Sequence, residues 1–166
     1  MPLQQLTIVW RKELWHPVVV HFPIATLLLA SVVGVVMLFK HSENNGPKTA
    51  RCFIGLLVFG VATAWLAVST GLWSYNTEVR RICDPSVLKS HRMWGIYAAT
   101  LYTVSLAVYA VGRMVWVTRL LTYLAVLTAL AGAAVLTYSG HLGASLVYQQ
   151  GAGVRQPSAD CNEFME

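Results

Sequence analysis

His16-Pro17-Val18-Val19-Val20-His21-Phe22-Pro23-Ile24-Ala25 places two histidines and two prolines at the mouth of a long apolar run, and its reading decides the fold. The run continues to Phe39. An apolar segment of that length is a membrane span, because about 20 helical residues cross about 30 Å of hydrocarbon. Pro17 suits the first turn of a helix, where no amide hydrogen is needed, and this leaves His16 beside the N-cap. Pro23 falls inside the helix and cannot donate to the Val19 carbonyl. A kink or a locally opened turn is therefore expected near His21, about 7.5 Å deeper than His16 at about 1.5 Å per residue. A titratable ring at the edge of hydrocarbon is costly without a partner, so such histidines point first to function.

Working outward, three more apolar runs of spanning length follow the first (18–39), at about 52–73, 93–115 and 120–141. The chain has 166 residues, of which 56% are hydrophobic and 11% charged, a composition that excludes a soluble domain. None of the runs alternates with period two, which excludes a membrane barrel. The expected class is all-α: a polytopic membrane protein built as a four-transmembrane-helix bundle. Its parts are an interfacial N-terminal tail (1–17), a transmembrane domain (18–148) and a polar C-terminal tail (149–166). Trp10, Arg11, Lys12 and Trp15 suit the first tail to a headgroup layer. Met1 to Trp15 has no apolar core, so it does not read as a cleavable signal peptide. Asn45-Gly46-Pro47 marks a turn after the first span, and Ser74 to Ser90 forms a polar, basic connector. The short link Arg113 to Arg119 makes the last two helices antiparallel neighbours. Gly55, Gly60, Ala64, Ala67 and Gly71, with Ala125, Ala129 and Ala131 to Ala134, allow close helix approach and equally leave room for a flat cofactor.

With four spans, the starts of helices one and three and the end of helix four share one face. His16, His21, His91 and His141 then lie in one layer, and His41 faces the other side. A hydrogen bond to a carbonyl at a helix end explains any one of them; four in a layer point to a shared centre. Neutral imidazole ligates haem iron, zinc and copper. One ion chelated from one helix prefers histidines at i and i+4, whereas His16 and His21 are five apart, about 140° round the helix. A b-type haem takes one imidazole from each of two facing helices. His21 with His91 or His141 is the expected axial pair. His16 and the remaining histidine form a second pair or touch the haem edge, so one or two haems b are expected. Arg81 and Arg92, with Arg80 and Lys89 nearby, suit propionates, or are simply solvated interfacial charges. No Cys-x-x-Cys-His occurs, so covalent c-type haem attachment to this chain is excluded.

The stretch His16 to Ala25, the His91 that opens the third helix, and Gly140 to Val154 with Gly143, Leu146-Val147-Tyr148 and Gly151-Ala152-Gly153-Val154 resemble the bacterial membrane proteins of the domain of unknown function 2231 family. The resemblance runs over roughly residues 14–154. It implies a four-helix integral membrane domain of bacteria, with members that look like accessory parts of electron-transfer systems, and it brings no cofactor with it.

The expected function is a membrane b-type cytochrome-like electron-transfer subunit, not a stand-alone enzyme. It would relay electrons along one face between a quinol pool or partner subunit and a surface carrier. Its environment is the lipid bilayer, its partners other membrane or periplasmic redox subunits, possible quinone among them, and no nucleic acid. The expected location is the bacterial inner membrane with both termini and the histidines periplasmic, where Cys83 and Cys161 can form a disulfide while Cys52 sits alone on the other side. Three alternatives stay open: a non-catalytic anchor or scaffold, a non-haem metal site or proton relay, and a quinone-linked thiol oxidoreductase using Cys83 and Cys161.

Overall fold

The structure, a computed structural model, describes residues 12–39, 46–115 and 118–154. It contains four α-helices: α1 (Lys12–Phe39), α2 (Gly46–Glu78), α3 (Pro85–Gly112) and α4 (Thr118–Gln150), with no strand among the described residues. Each helix is long and apolar enough to cross a membrane. Of the most apolar stretch of each, only 28%, 33%, 33% and 22% is buried inside the bundle. The outward side chains, Leu29, Val32, Leu66 and Leu127 among them, therefore face lipid. A helix tolerates that setting because it satisfies its own backbone hydrogen bonds. The chain is a polytopic four-helix membrane bundle.

The helices run beyond the apolar segments that announce them. α2 continues past Trp73 to Glu78, and α3 begins at Pro85, before the hydrophobic run that starts at Met93. The expected connector from Ser74 to Ser90 shrinks accordingly. The reason is local: Asp84 is the N-cap of α3, its carboxylate accepts from the Ser86 backbone N–H at 2.9 Å, and Pro85 occupies the first turn. At the start of α3 the cap, not hydropathy, sets the end. α1 likewise starts at Lys12 and runs through Pro17 and Pro23. His16 is thus inside the helix and not beside its N-cap, which corrects the reading taken from Pro17. The expectations for Trp10, Arg11, His41 and Cys161 lie outside the described residues.

The bundle is assembled from two hairpins. α1 packs closely on α2 and α3 on α4, while the hairpins pack more lightly on each other. The two are built alike. At Gly60 an added Cβ would lie 2.7 Å from Leu27 Cγ, and at Gly132 it would lie 3.0 Å from Tyr102 Cδ2. The packed pairs correspond, with Leu27 and Tyr102 at a spacing of 75 residues and Gly60 and Gly132 at a spacing of 72. In both hairpins a missing side chain lets the first helix seat a large residue against the second. Between the hairpins runs a buried polar seam. The Tyr102 hydroxyl lies 2.9 Å from Ser31 Oγ and donates to the Leu27 carbonyl at 3.2 Å, and Ser31 Oγ lies 3.3 Å from the Ala129 carbonyl; within the second hairpin, Ser105 Oγ donates to the Ala125 carbonyl at 2.8 Å.

Candidate functional site: a histidine pair across two hairpins

Three helical turns from the Leu27 and Tyr102 level, about 16.5 Å at 1.5 Å per residue, the same construction recurs with histidine. The Nδ1–H of His16 on α1 donates to the Ala67 carbonyl of α2 at 2.9 Å, and that of His91 on α3 donates to the Ser139 carbonyl of α4 at 2.9 Å. A carbonyl can only accept, so Nδ1 carries the hydrogen in each ring and Nε2 is left with its lone pair. One turn beyond each carbonyl stands a glycine. A Cβ at Gly71 would lie 3.1 Å from His16 Cε1, and one at Gly143 would lie 3.0 Å from His91 Cε1. Each ring is therefore fixed twice, by a main-chain acceptor and by close packing on a residue with no side chain.

Both rings are half-buried, and they meet. Their centroids are 6.0 Å apart with the planes at 77°. His16 belongs to the first hairpin and His91 to the second, so the pair bridges the lightly packed interface between them. At this level the hydrogen-bonding arms again repeat, with the histidines 75 residues apart (16 to 91) and their acceptors and glycines 72 apart (67 to 139, 71 to 143).

The remaining expected residues are placed elsewhere. His21 is exposed and its Nδ1–H donates to the Pro17 carbonyl of its own helix at 2.6 Å; His141 is exposed on α4. The expected axial pairing of His21 with His91 or His141 is thus not the pair the fold brings together. The Arg92 guanidinium lies 4.8 Å from the centre of the Tyr75 ring, and Arg81 Nη1 is 3.7 Å from Glu78 Oε1. Cys83 and Cys52 are exposed, and among the described residues neither is in a disulfide. Among the described residues no three His, Cys, Asp or Glu side chains gather as a metal-binding group. Sequence reading named Ala67 and Gly71 only as small packing residues and Gly143 only within the family resemblance, and did not assign them or Ser139 to the histidines, although a signal was present: Gly60 and Gly71 enclose ten residues, and so do Gly132 and Gly143, in the second helix of each half.

These features define a four-helix membrane protein made of two like hairpins, each contributing one oriented histidine to a shared pair. A family model described as "Predicted membrane protein (DUF2231)" matches residues 14–156, and the chain belongs to that family. No match was found among curated proteins or among solved structures.

Proposed function

We propose that this protein is a membrane b-type cytochrome-like electron-transfer subunit whose haem is ligated by His16 and His91. The observation that carries the reading is the oriented pair itself. Metal-ligating imidazoles commonly donate the second ring nitrogen to a carbonyl, which fixes the tautomer and aims the other nitrogen. Two nitrogen–metal bonds of about 2 Å each, plus the near half of each ring, put two imidazoles on one ion with centroids about 6 Å apart, and the observed separation is 6.0 Å. A ligand set of two imidazoles suits an iron whose other positions are filled by a macrocycle. The pair lies at the interface between hairpins, where a flat group meets the least helix packing. Arg92, next to His91 and exposed, is the cation available to a propionate. The haem would supply reversible one-electron transfer at that face.

We further place the chain in a bacterial inner membrane with the histidine face periplasmic and with redox subunits or quinone as partners. Support comes from Lys40, Lys48, Arg51, Arg113 and Arg119, which crowd the two short connectors of the opposite face and the first turns of the helices that follow them. A second reading, an anchor or scaffold in which the histidines only tie helices together, is favoured by the same two ring-to-carbonyl bonds. A reduced-minus-oxidised visible spectrum of the detergent-purified protein, with a pyridine haemochrome assay, separates them. One haem per chain is expected. A colourless, folded preparation from haem-replete cells overturns the first reading and leaves the second.

A further inference from the structure

Two turns beyond the glycines that seat the histidines, about 10.5 Å along each helix, α2 ends at Glu78 and α4 at Gln150, again 72 residues apart. Each accepts from a backbone N–H of a segment at this end of the bundle: Gln150 ties the start of α3, and Glu78 ties the first hairpin to the second. Gln150 Oε1 accepts from the Asp84 backbone N–H on the segment leaving α2, and Glu78 Oε2 accepts from the Gly153 backbone N–H on the segment leaving α4, both at 2.9 Å. Gly151 and Gly153 turn that second segment with φ of 68° and 73°, values that side-chain-bearing residues rarely adopt. Glu78, Arg81, Gln150, Gly151, Gly153 and Val154 line a cavity of about 230 Å³.

One atom in this cavity is unexplained. Glu78 is 6% exposed, and its Oε1 is buried without a hydrogen-bond donor; Arg81 Nη1, at 3.7 Å, is beyond hydrogen-bond reach. A buried acceptor left unmade costs the full desolvation of that atom, so a donor that enters the cavity gains more than an ordinary hydrogen bond. The charge of Glu78 is balanced by Arg81, which favours a neutral donor over an ion. The opposite latch, Gln150, offers a neutral amide. The approach is amphipathic, since Trp73, Tyr148 and Val154 are exposed at this end of the spans. A neutral molecule that carries hydroxyl donors on a small ring and arrives through the bilayer meets all of these conditions.

We propose that the Glu78–Gln150 cavity binds the headgroup of a lipid-soluble hydroquinone, one of whose hydroxyls donates to Glu78 Oε1. This is a second site, and its occupancy does not depend on haem at the histidine pair. The test is equilibrium binding of decyl-ubiquinol, under anaerobic reducing conditions, to the full chain in phosphatidylcholine nanodiscs, with protein-free nanodiscs as the partition baseline. One saturable site per chain is expected. Glu78→Gln should weaken it about tenfold or more, as for the loss of a hydrogen bond to a charged group. Because Glu78 also holds Gly153, Val154→Trp serves as the second variant: it fills the cavity, leaves both latches, and should abolish binding with helical content retained. Binding no greater than in empty nanodiscs, or saturable binding untouched by both variants, overturns the proposal. So does displacement of the hydroquinone when phosphatidylethanolamine replaces phosphatidylcholine, which would make the cavity a headgroup site. Haem content is read separately, so failure here leaves the histidine reading standing, and the reverse.

Discussion

His16 and His91 face each other at 6.0 Å although 75 residues separate them in the chain. Each is oriented by the hairpin partner of its own helix: α2 supplies Ala67 and Gly71 to one, and α4 supplies Ser139 and Gly143 to the other. Because the two arms are equivalent, removing either should have the same consequence. His16→Ala and His91→Ala are each expected to bring haem from about one per chain to near zero in the haemochrome assay. His21→Ala and His141→Ala, at exposed positions, should keep it. Loss of haem on His21→Ala with retention on His16→Ala would refute the assignment of the pair.

The glycines under the rings give a finer test. Gly71→Ala and Gly143→Ala each place a methyl about 3 Å from an imidazole carbon, so the ring must shift by a few tenths of an ångström against its carbonyl bond. A cost of about 1–3 kcal/mol is expected for such overpacking, read by reversible unfolding in mixed micelles, together with a shifted Soret band. Gly55→Ala and Gly140→Ala meet no atom within 4 Å, and these controls should be silent in the spectrum.

Tyr102 tests the seam at the bundle centre. Its side chain is fully buried, and its hydroxyl joins Ser31 of α1 to α3. Tyr102→Phe removes these bonds with little change in volume. Hydrogen bonds between helices in a membrane contribute about 0.6 kcal/mol on average and up to about 1.7 kcal/mol, so a loss within that range is expected from the same unfolding measurement. A neutral result would show that Ser31, which also donates to the Leu27 carbonyl, is satisfied without the tyrosine.

Asp84 makes the start of α3 sensitive to pH. Bonds from Ser86 to its carboxylate hold the group below its ordinary value of about 4. A group whose value is lowered by folding stabilises above its unfolded value and loses that contribution as pH falls through the lower, folded one. Amide exchange at Ser86 and Val87 should therefore be slow near neutrality and accelerate beyond the intrinsic trend as the solution is acidified below about pH 4. Asp84→Asn keeps an N-cap that does not titrate, and the excess acceleration should vanish.

Much of the candidate site was legible and one decisive part was not. The layer of histidines at one face follows from four spans and the positions of His16, His91 and His141 along them. The duplicated glycine spacing, Gly60 to Gly71 and Gly132 to Gly143, was also on the page and would have singled out the helices that seat the rings. Glu78 and Gln150 were hidden because both lie beyond the apolar runs, in turns that hydropathy assigns to a connector and to the polar C-terminal tail.

The sequence by itself determined the all-α class, the number of spans and the face on which the histidines gather. These depend on segment length and on the need of every backbone group in lipid to be satisfied within its own helix, both of which are local. Only the tertiary structure decided which histidines meet. His16 and His21 stand on one helix about 140° apart, and both prolines permit either to point inward. The rotation of α1 about its own axis selects between them, and that rotation is set by contacts made with another part of the chain, Leu27 seated on Gly60 and His16 on Gly71.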